Sequence, residues 1–274
     1  MTATYGDRQE ERRGFFTDTT LCIGCKACEV ACKEWNELPQ DGYTFTGMSY
    51  DNTGELSGTS WRHVAFVEQF SGNQGRWLME SDVCKHCTHA GCLDVCPTGA
   101  IVRSEFGTVV IQDDVCNGCG YCVVACPFGV ISERVDAQPG ESKTHPRGTM
   151  GKCTLCYDRL KAGDEPACAK ACPTQSIQYG NVDELRERAR RRLDEVRKIK
   201  MRGDAFEGAR LYLDDERDGI GGGGSIFLLL DRPEVYGFPP NPIDSTKRLP
   251  EMWRAAVIAA AFLAGAAGIV SLLP

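Results

Sequence analysis

CIGCKACEVAC, residues 22–32, places four cysteines at the spacing C-x2-C-x2-C-x3-C, and the pattern returns in CNGCGYCVVAC, residues 116–126. Working outward, all 16 cysteines of the 274-residue chain fall into four such quartets. They are Cys22, Cys25, Cys28 and Cys32; Cys84, Cys87, Cys92 and Cys96; Cys116, Cys119, Cys122 and Cys126; and Cys153, Cys156, Cys168 and Cys172. Disulfide frameworks staple distant loops and do not crowd thiols two residues apart four times over, so the quartets read as metal ligands. With 31 basic and 38 acidic residues the chain carries a net charge of −7, which offers nucleic acid no basic surface.

The repeat extends beyond the cysteines. PTGAI (97–101), PFGVI (127–131) and PTQSI (173–177) each follow a final cysteine, which implies one recurring unit of cysteine loop, short helix and strand. Between the second and third quartets, IVRSEFGTVVIQDD reads as a hairpin that returns Cys96 to the side of Cys116. Residues 33–83 form an insertion in which WRHVAFVEQF (61–70) is strand-like, so a small β excursion is expected on the core. Val182, Leu185, Ala189, Leu193 and Val196 mark a helix, and residues 181–218 balance 11 basic against 11 acidic side chains. GGGGSIFLLL (221–230) reads as a turn feeding a buried strand; as a phosphate loop it lacks the Lys-Ser/Thr ending and a following helix. Pro233, Pro239, Pro240, Pro242 and Pro250 predict an extended linker.

At the N-terminus, RRGFF (12–16) is followed by no apolar run and reads as part of an arm rather than a targeting signal. At the other end, the 19 residues from Ala255 to Leu273 carry no charge. A helix of that length rises about 28 Å and predicts a transmembrane anchor, with Trp253 and Arg254 at its lipid entrance. The expected segments are an arm (1–14), a cluster domain (15–180, including the 33–83 insertion), a helix and strand extension (181–232), a linker (233–251) and the anchor (252–274).

The first and third quartets match the bacterial ferredoxin run, in which three close thiolates hold one 4Fe–4S cubane. The fourth cysteine, after a turn into helix, points away from it and serves another cluster. Gly24, Gly118 and Gly120 allow backbone amides to approach the sulfurs. Zinc is the rival for soft thiolates, but its knuckles are normally two separated C-x2-C pairs. His86 and His89, inside the second quartet, read as outer donors or surface residues beside a full set of cysteines, and His63 and His145 as ordinary histidines. No nucleophile elbow or Ser-His-Asp pattern stands out, so the chain is expected to conduct electrons and to have no catalytic site of its own.

CIGCKACEVACKEWN (22–36), CKHCTHAGCLDVCPTGAI (84–101), CNGCGYCVVACPFGV (116–130) and KCTLCYDRLKAGDEPACAKACPTQSI (152–177) together resemble the four-cluster subunits of molybdenum and tungsten bis-pterin oxidoreductases. Within them, the resemblance is to the iron–sulfur β subunit of membrane-bound formate dehydrogenases. It implies an α+β fold of two nested ferredoxin-like modules with a β-rich insertion, a C-terminal helix and strand extension and one transmembrane helix. It also implies four 4Fe–4S clusters, on Cys22, Cys25, Cys28 and Cys172; on Cys153, Cys156, Cys168 and Cys32; on Cys84, Cys87, Cys92 and Cys126; and on Cys116, Cys119, Cys122 and Cys96.

The partners it implies are a large molybdenum or tungsten pterin catalytic subunit, a membrane cytochrome b or other quinone-reactive subunit, and membrane lipid. The same relay could serve a reductase of sulfur compounds, sulfoxides or nitrate, and a self-standing tethered polyferredoxin is the reading from another class. The location implied is the bacterial plasma membrane. The resemblance places the clusters on the periplasmic side, whereas Lys247, Arg248 and Arg254 ahead of the anchor favour the cytoplasmic side.

Overall fold

A computed structural model describes residues 12–41, 47, 50–71, 74–135, 148–199, 208–216 and 218–271, without the side chains of 71, 74 and 265–271. Most of the expected arm (1–11) and His145 lie outside the described residues. Strand β1 (Arg13–Asp18) leads through the first cysteine loop into helix α1 (Ala27–Trp35). The insertion contributes a hairpin of β2 (Arg62–Ser71) and β3 (Gln74–Val83). The second quartet spans α2 (Gly91–Asp94), and the hairpin of β4 (Ile101–Arg103) and β5 (Val109–Ile111) leads to α3 (Tyr121–Ala125) in the third. β6 (Ser132–Glu133) and β7 (Met150–Gly151) pair ahead of the fourth quartet, which contains α4 (Tyr157–Lys161) and α5 (Ala167–Lys170). Then come β8 (Ile177–Asn181), α6 (Val182–Lys198), β9 (Arg210–Tyr212), β10 (Ser225–Leu229) and α7 (Leu249–Ser271).

The cluster domain is closed by a four-stranded sheet in the order β8–β1–β10–β9, with β1 antiparallel to β8 and parallel to β10. Strand alternation divides its side chains between two cores. Phe15, Phe227 and Leu229 face the core that contains the buried cysteines. Phe16, Ile226 and Leu228 face Val182, Leu185, Ala189 and Val196 of α6. Full burial of each phenylalanine stabilises this seam by about 1.5–3 kcal/mol.

Helix α6 follows its apolar period. The Asn181 side chain caps it, accepting from the amides of Asp183 (2.9 Å) and Glu184 (3.4 Å). Asp183 and Glu184 in the first turn and Arg197 and Lys198 in the last complement its dipole. Arg192 ties the helix to the sheet through the buried Asp18 carboxylate at 2.8 Å.

Two expectations change at the C-terminal end. The proline-rich stretch is pinned rather than free: Phe238 stacks on Tyr212 with ring centres 5.2 Å apart, and the Tyr236 hydroxyl accepts from the Leu230 amide at 3.1 Å. The Thr246 hydroxyl also donates to Asp94 beside the second quartet, at 3.0 Å. In addition, no helix among the described residues is long and apolar enough to cross a membrane, so they do not bear out the transmembrane helix expected over 252–274. Within α7, Glu251 and Arg254 put charge in the first turns. Trp253 and Arg254 are exposed at the start of this helix.

Candidate metal centres

The short helices place the later cysteines of the quartets. Cys28 and Cys32 sit four residues apart on α1, both buried on one face, about 6 Å along the axis from each other. The fourth cysteine is thus one turn further along the same face, rather than turned away as its spacing suggested. The loops that precede the helices need left-handed backbone: φ is +66° at Gly24 and +73° at Gly118. Helix α1 packs against α5, and α2 against α3, so the first quartet meets the fourth and the second meets the third.

Two sets of thiols ring cavities. One, with about 300 Å³ between its atoms, is lined by Cys22, Cys25, Cys28 and Cys172. The second, of about 400 Å³, is lined by Cys84, Cys87, Cys92 and Cys126, together with His86 and His89. Electrostatics gathers the other eight cysteines into two further sets. Burial pushes the Cys32 thiol well above its ordinary range, reinforced by Cys153, Cys168 and Cys156. Burial also pushes Cys122 up to about 11, with Cys116, Cys119 and Cys96 adding to the effect. Among the described residues, no three or more His, Cys, Asp or Glu side chains close on a point as a single metal ion requires. Each cavity brings four thiols to its wall, which fits a multi-atom cluster with one thiolate at each corner.

The sets also approach one another. Cys28 of the first lies within electrostatic reach of Cys168, Cys153 of Cys84, and Cys92 of Cys122. Exposure is graded along this series: Cys25 and Cys119 are exposed, while Cys32, Cys153, Cys156 and Cys168 are buried.

Backbone amides reach the sulfurs directly. Leu155 N–H donates to Cys153 Sγ at 3.3 Å, and Met150 N–H to Cys116 Sγ at 3.5 Å. Cys96 is held below its ordinary value: its slight burial works the other way and is outweighed by the Thr98 hydroxyl and the amides of Ile101, Thr98 and Ala100. His86 is buried beside the second cavity, and its Nδ1 accepts from the Val109 amide at 3.1 Å. His63 instead pairs with Asp51 on the insertion, at 2.6 Å.

Sequence reading missed three buried cations near the thiols: Arg62, Lys85 and Lys152, exposed by 1%, 0% and 2%. Lys85 lies 4.3 Å from the Phe238 ring centre and within electrostatic reach of Cys126. Lys152 donates to the Cys153 carbonyl at 3.0 Å and faces Cys92. A signal was available for these two, since each adjoins a ligand cysteine in sequence. Arg62 had none.

Fold and sites together define a four-cluster iron–sulfur protein of the ferredoxin type. Models described as 4Fe–4S dicluster domains match residues 21–100 and 75–182, and with the sixteen cysteines they support four 4Fe–4S clusters. The iron–sulfur subunit of the nitrate-inducible formate dehydrogenase of Escherichia coli K12 is 40% identical over 261 residues, 92% of this chain and 81% of that protein. The formate dehydrogenase iron–sulfur subunit of Haemophilus influenzae is 39% identical over 229 residues, 82% of this chain and 68% of its own length. The B component of the anaerobic dimethyl sulfoxide reductase of E. coli K12 is 36% identical over 181 residues, covering 64% of this chain and 76% of that protein. This chain belongs to the family of formate dehydrogenase iron–sulfur subunits.

Proposed function

We propose that the chain relays electrons from a molybdenum or tungsten pterin subunit that oxidises formate to a quinone-reactive membrane subunit, through four clusters on the crossed cysteine sets. The observation that carries this reading is the series of approaches Cys28–Cys168, Cys153–Cys84 and Cys92–Cys122, which strings the four sets into one line. Bound there, the clusters supply one-electron acceptors in series. The chain's own residues bury all four thiols of the set of Cys153, Cys156, Cys168 and Cys32 and leave Cys25 and Cys119 exposed in the two end sets, where partners would exchange electrons.

The expected result is as many irons and labile sulfides per chain as cysteines, with a large pterin-containing subunit in the same complex. Stoichiometric zinc would overturn the cluster assignment, and a large subunit active on sulfoxide but not on formate would move the relay to the other relatives.

Helix α7 is proposed to seat the complex at a membrane. In support, Val257, Ile258, Phe262 and Leu263 are 64–80% exposed, and the run to Leu273 is free of charge. Expressed without its membrane partner, the full chain is expected in the membrane fraction, and a chain ending at Leu249 in the soluble fraction with its iron retained. A truncated chain that stays membrane-bound would refute the anchor.

A further inference from the structure

Arg62 stands at the start of β2, in the insertion, with its side chain closed off from solvent. Its Nη1 donates to the Ser81 carbonyl at 3.2 Å and to the Ser81 hydroxyl at 3.0 Å, and that hydroxyl lies 3.3 Å from Cys28 Sγ. The guanidinium packs over the Phe15 ring, 4.8 Å from its centre. Among the described residues Nε and Nη2 have no hydrogen-bond partner, and the guanidinium lies within electrostatic reach of Cys168, Cys28, Cys153 and Cys32. Arginine cannot shed its proton, so this buried charge and its two free donors need anionic partners.

Cys28 belongs to the first set and Cys32, Cys153 and Cys168 to the second, so a single cation faces both. Glu80, also buried, has both carboxyl oxygens without a hydrogen-bond partner among the described residues. Burial, with Asp82 adding to it, pushes that carboxyl well above the usual range, while Lys85 and Arg62 act to lower it.

We propose that Arg62 is a shared positioning cation that raises the reduction potentials of the two clusters held by Cys22, Cys25, Cys28 and Cys172 and by Cys153, Cys156, Cys168 and Cys32. Reduction adds one negative charge to a cluster, and a guanidinium in a dry interior stabilises the more negative state. Hydrogen bonds to the sulfurs and net local charge are both levers on such potentials. The insertion would then have a purpose beyond packing: it delivers one charge between two sites that neither ferredoxin-like half could supply alone.

This inference rests on the crossed partition of the four-cluster reading, which iron and sulfide content test separately. The experiment is potentiometric titration followed by electron paramagnetic resonance on the complex, for native protein, Arg62→Gln and Arg62→Lys. In a fully loaded Arg62→Gln complex, two of the four midpoints should fall, each by at least tenfold in the reduction equilibrium, about 59 mV for a one-electron couple. The other two should stay in place, and Arg62→Lys, which keeps the charge, should hold all four within tenfold of native. Four unchanged midpoints, or an equal fall in all four, in a fully loaded Arg62→Gln complex would overturn the role of Arg62 while leaving the cluster assignment intact. If Arg62→Gln does not load iron, Arg62→Lys decides: midpoints within tenfold of native support the charge, and a larger fall in either cluster with the charge retained refutes it.

Discussion

Cys32→Ala is expected to remove about a quarter of the iron and to break the relay in its interior. Cys32 is buried on α1, its thiol faces Cys153, Cys168 and Cys156, and its neighbour Asn36 offers only an amide nitrogen at 3.7 Å. An amide does not replace a thiolate on iron, so that set keeps three ligands and its cluster becomes labile. The set lies between those of Cys28 and Cys84 in the series of approaches. Formate-to-quinone turnover should therefore fall to on the order of a tenth or less, while formate oxidation with a dye that accepts directly from the catalytic subunit persists. The measurement is paired: iron per chain with spectral assignment, and the two activities side by side. If the signal lost is the one lost in Cys25→Ala, the first quartet holds its own cluster and the crossed partition is wrong.

The ligands were legible in the sequence because ligand spacing is local. Three thiols within seven residues wrap a compact object whatever surrounds them, and Gly24 and Gly118 do adopt the left-handed backbone that their loops require. Which quartets meet is not local. It depends on α1 packing against α5 and α2 against α3, contacts between residues more than a hundred positions apart in the outer pair. Arg62 was hidden for a related reason. In WRHVAFVEQF it stands where a strand begins, a position where arginine is ordinarily solvated. Only the return of β3 with Ser81 and the approach of the cysteine core bury it. The linker shows the opposite error: its prolines predict extension, whereas Pro233 opens a 3-10 helix over Pro233–Tyr236 and Pro250 lies in the first turn of α7, and propensity carries nothing about the stacking of Phe238 on Tyr212 or the aromatic seat of Lys85.

A second large effect separates two glycines of the third quartet that look equivalent in CNGCGYC. Both adopt left-handed backbone, with φ +73° at Gly118 and +77° at Gly120. A methyl group at Gly120 would meet nothing within 4 Å, so Gly120→Ala carries backbone strain alone, about 1–2 kcal/mol. At Gly118 it would lie 2.2 Å from the Gly148 carbonyl oxygen, and backbone cannot swing aside as a side chain can. Displacing Gly148 moves the start of β7, where Met150 donates its amide to Cys116 Sγ at 3.5 Å. Gly118→Ala should therefore cost the set of Cys116, Cys119, Cys122 and Cys96 its cluster, about a quarter of the iron, whereas Gly120→Ala retains all of it with a small loss of thermal stability. Iron per chain and the resonance of the affected cluster are the readouts. Equal iron in the two variants would mean that the approach of Gly148 is not what shapes this loop, and that the glycines serve only their backbone angles.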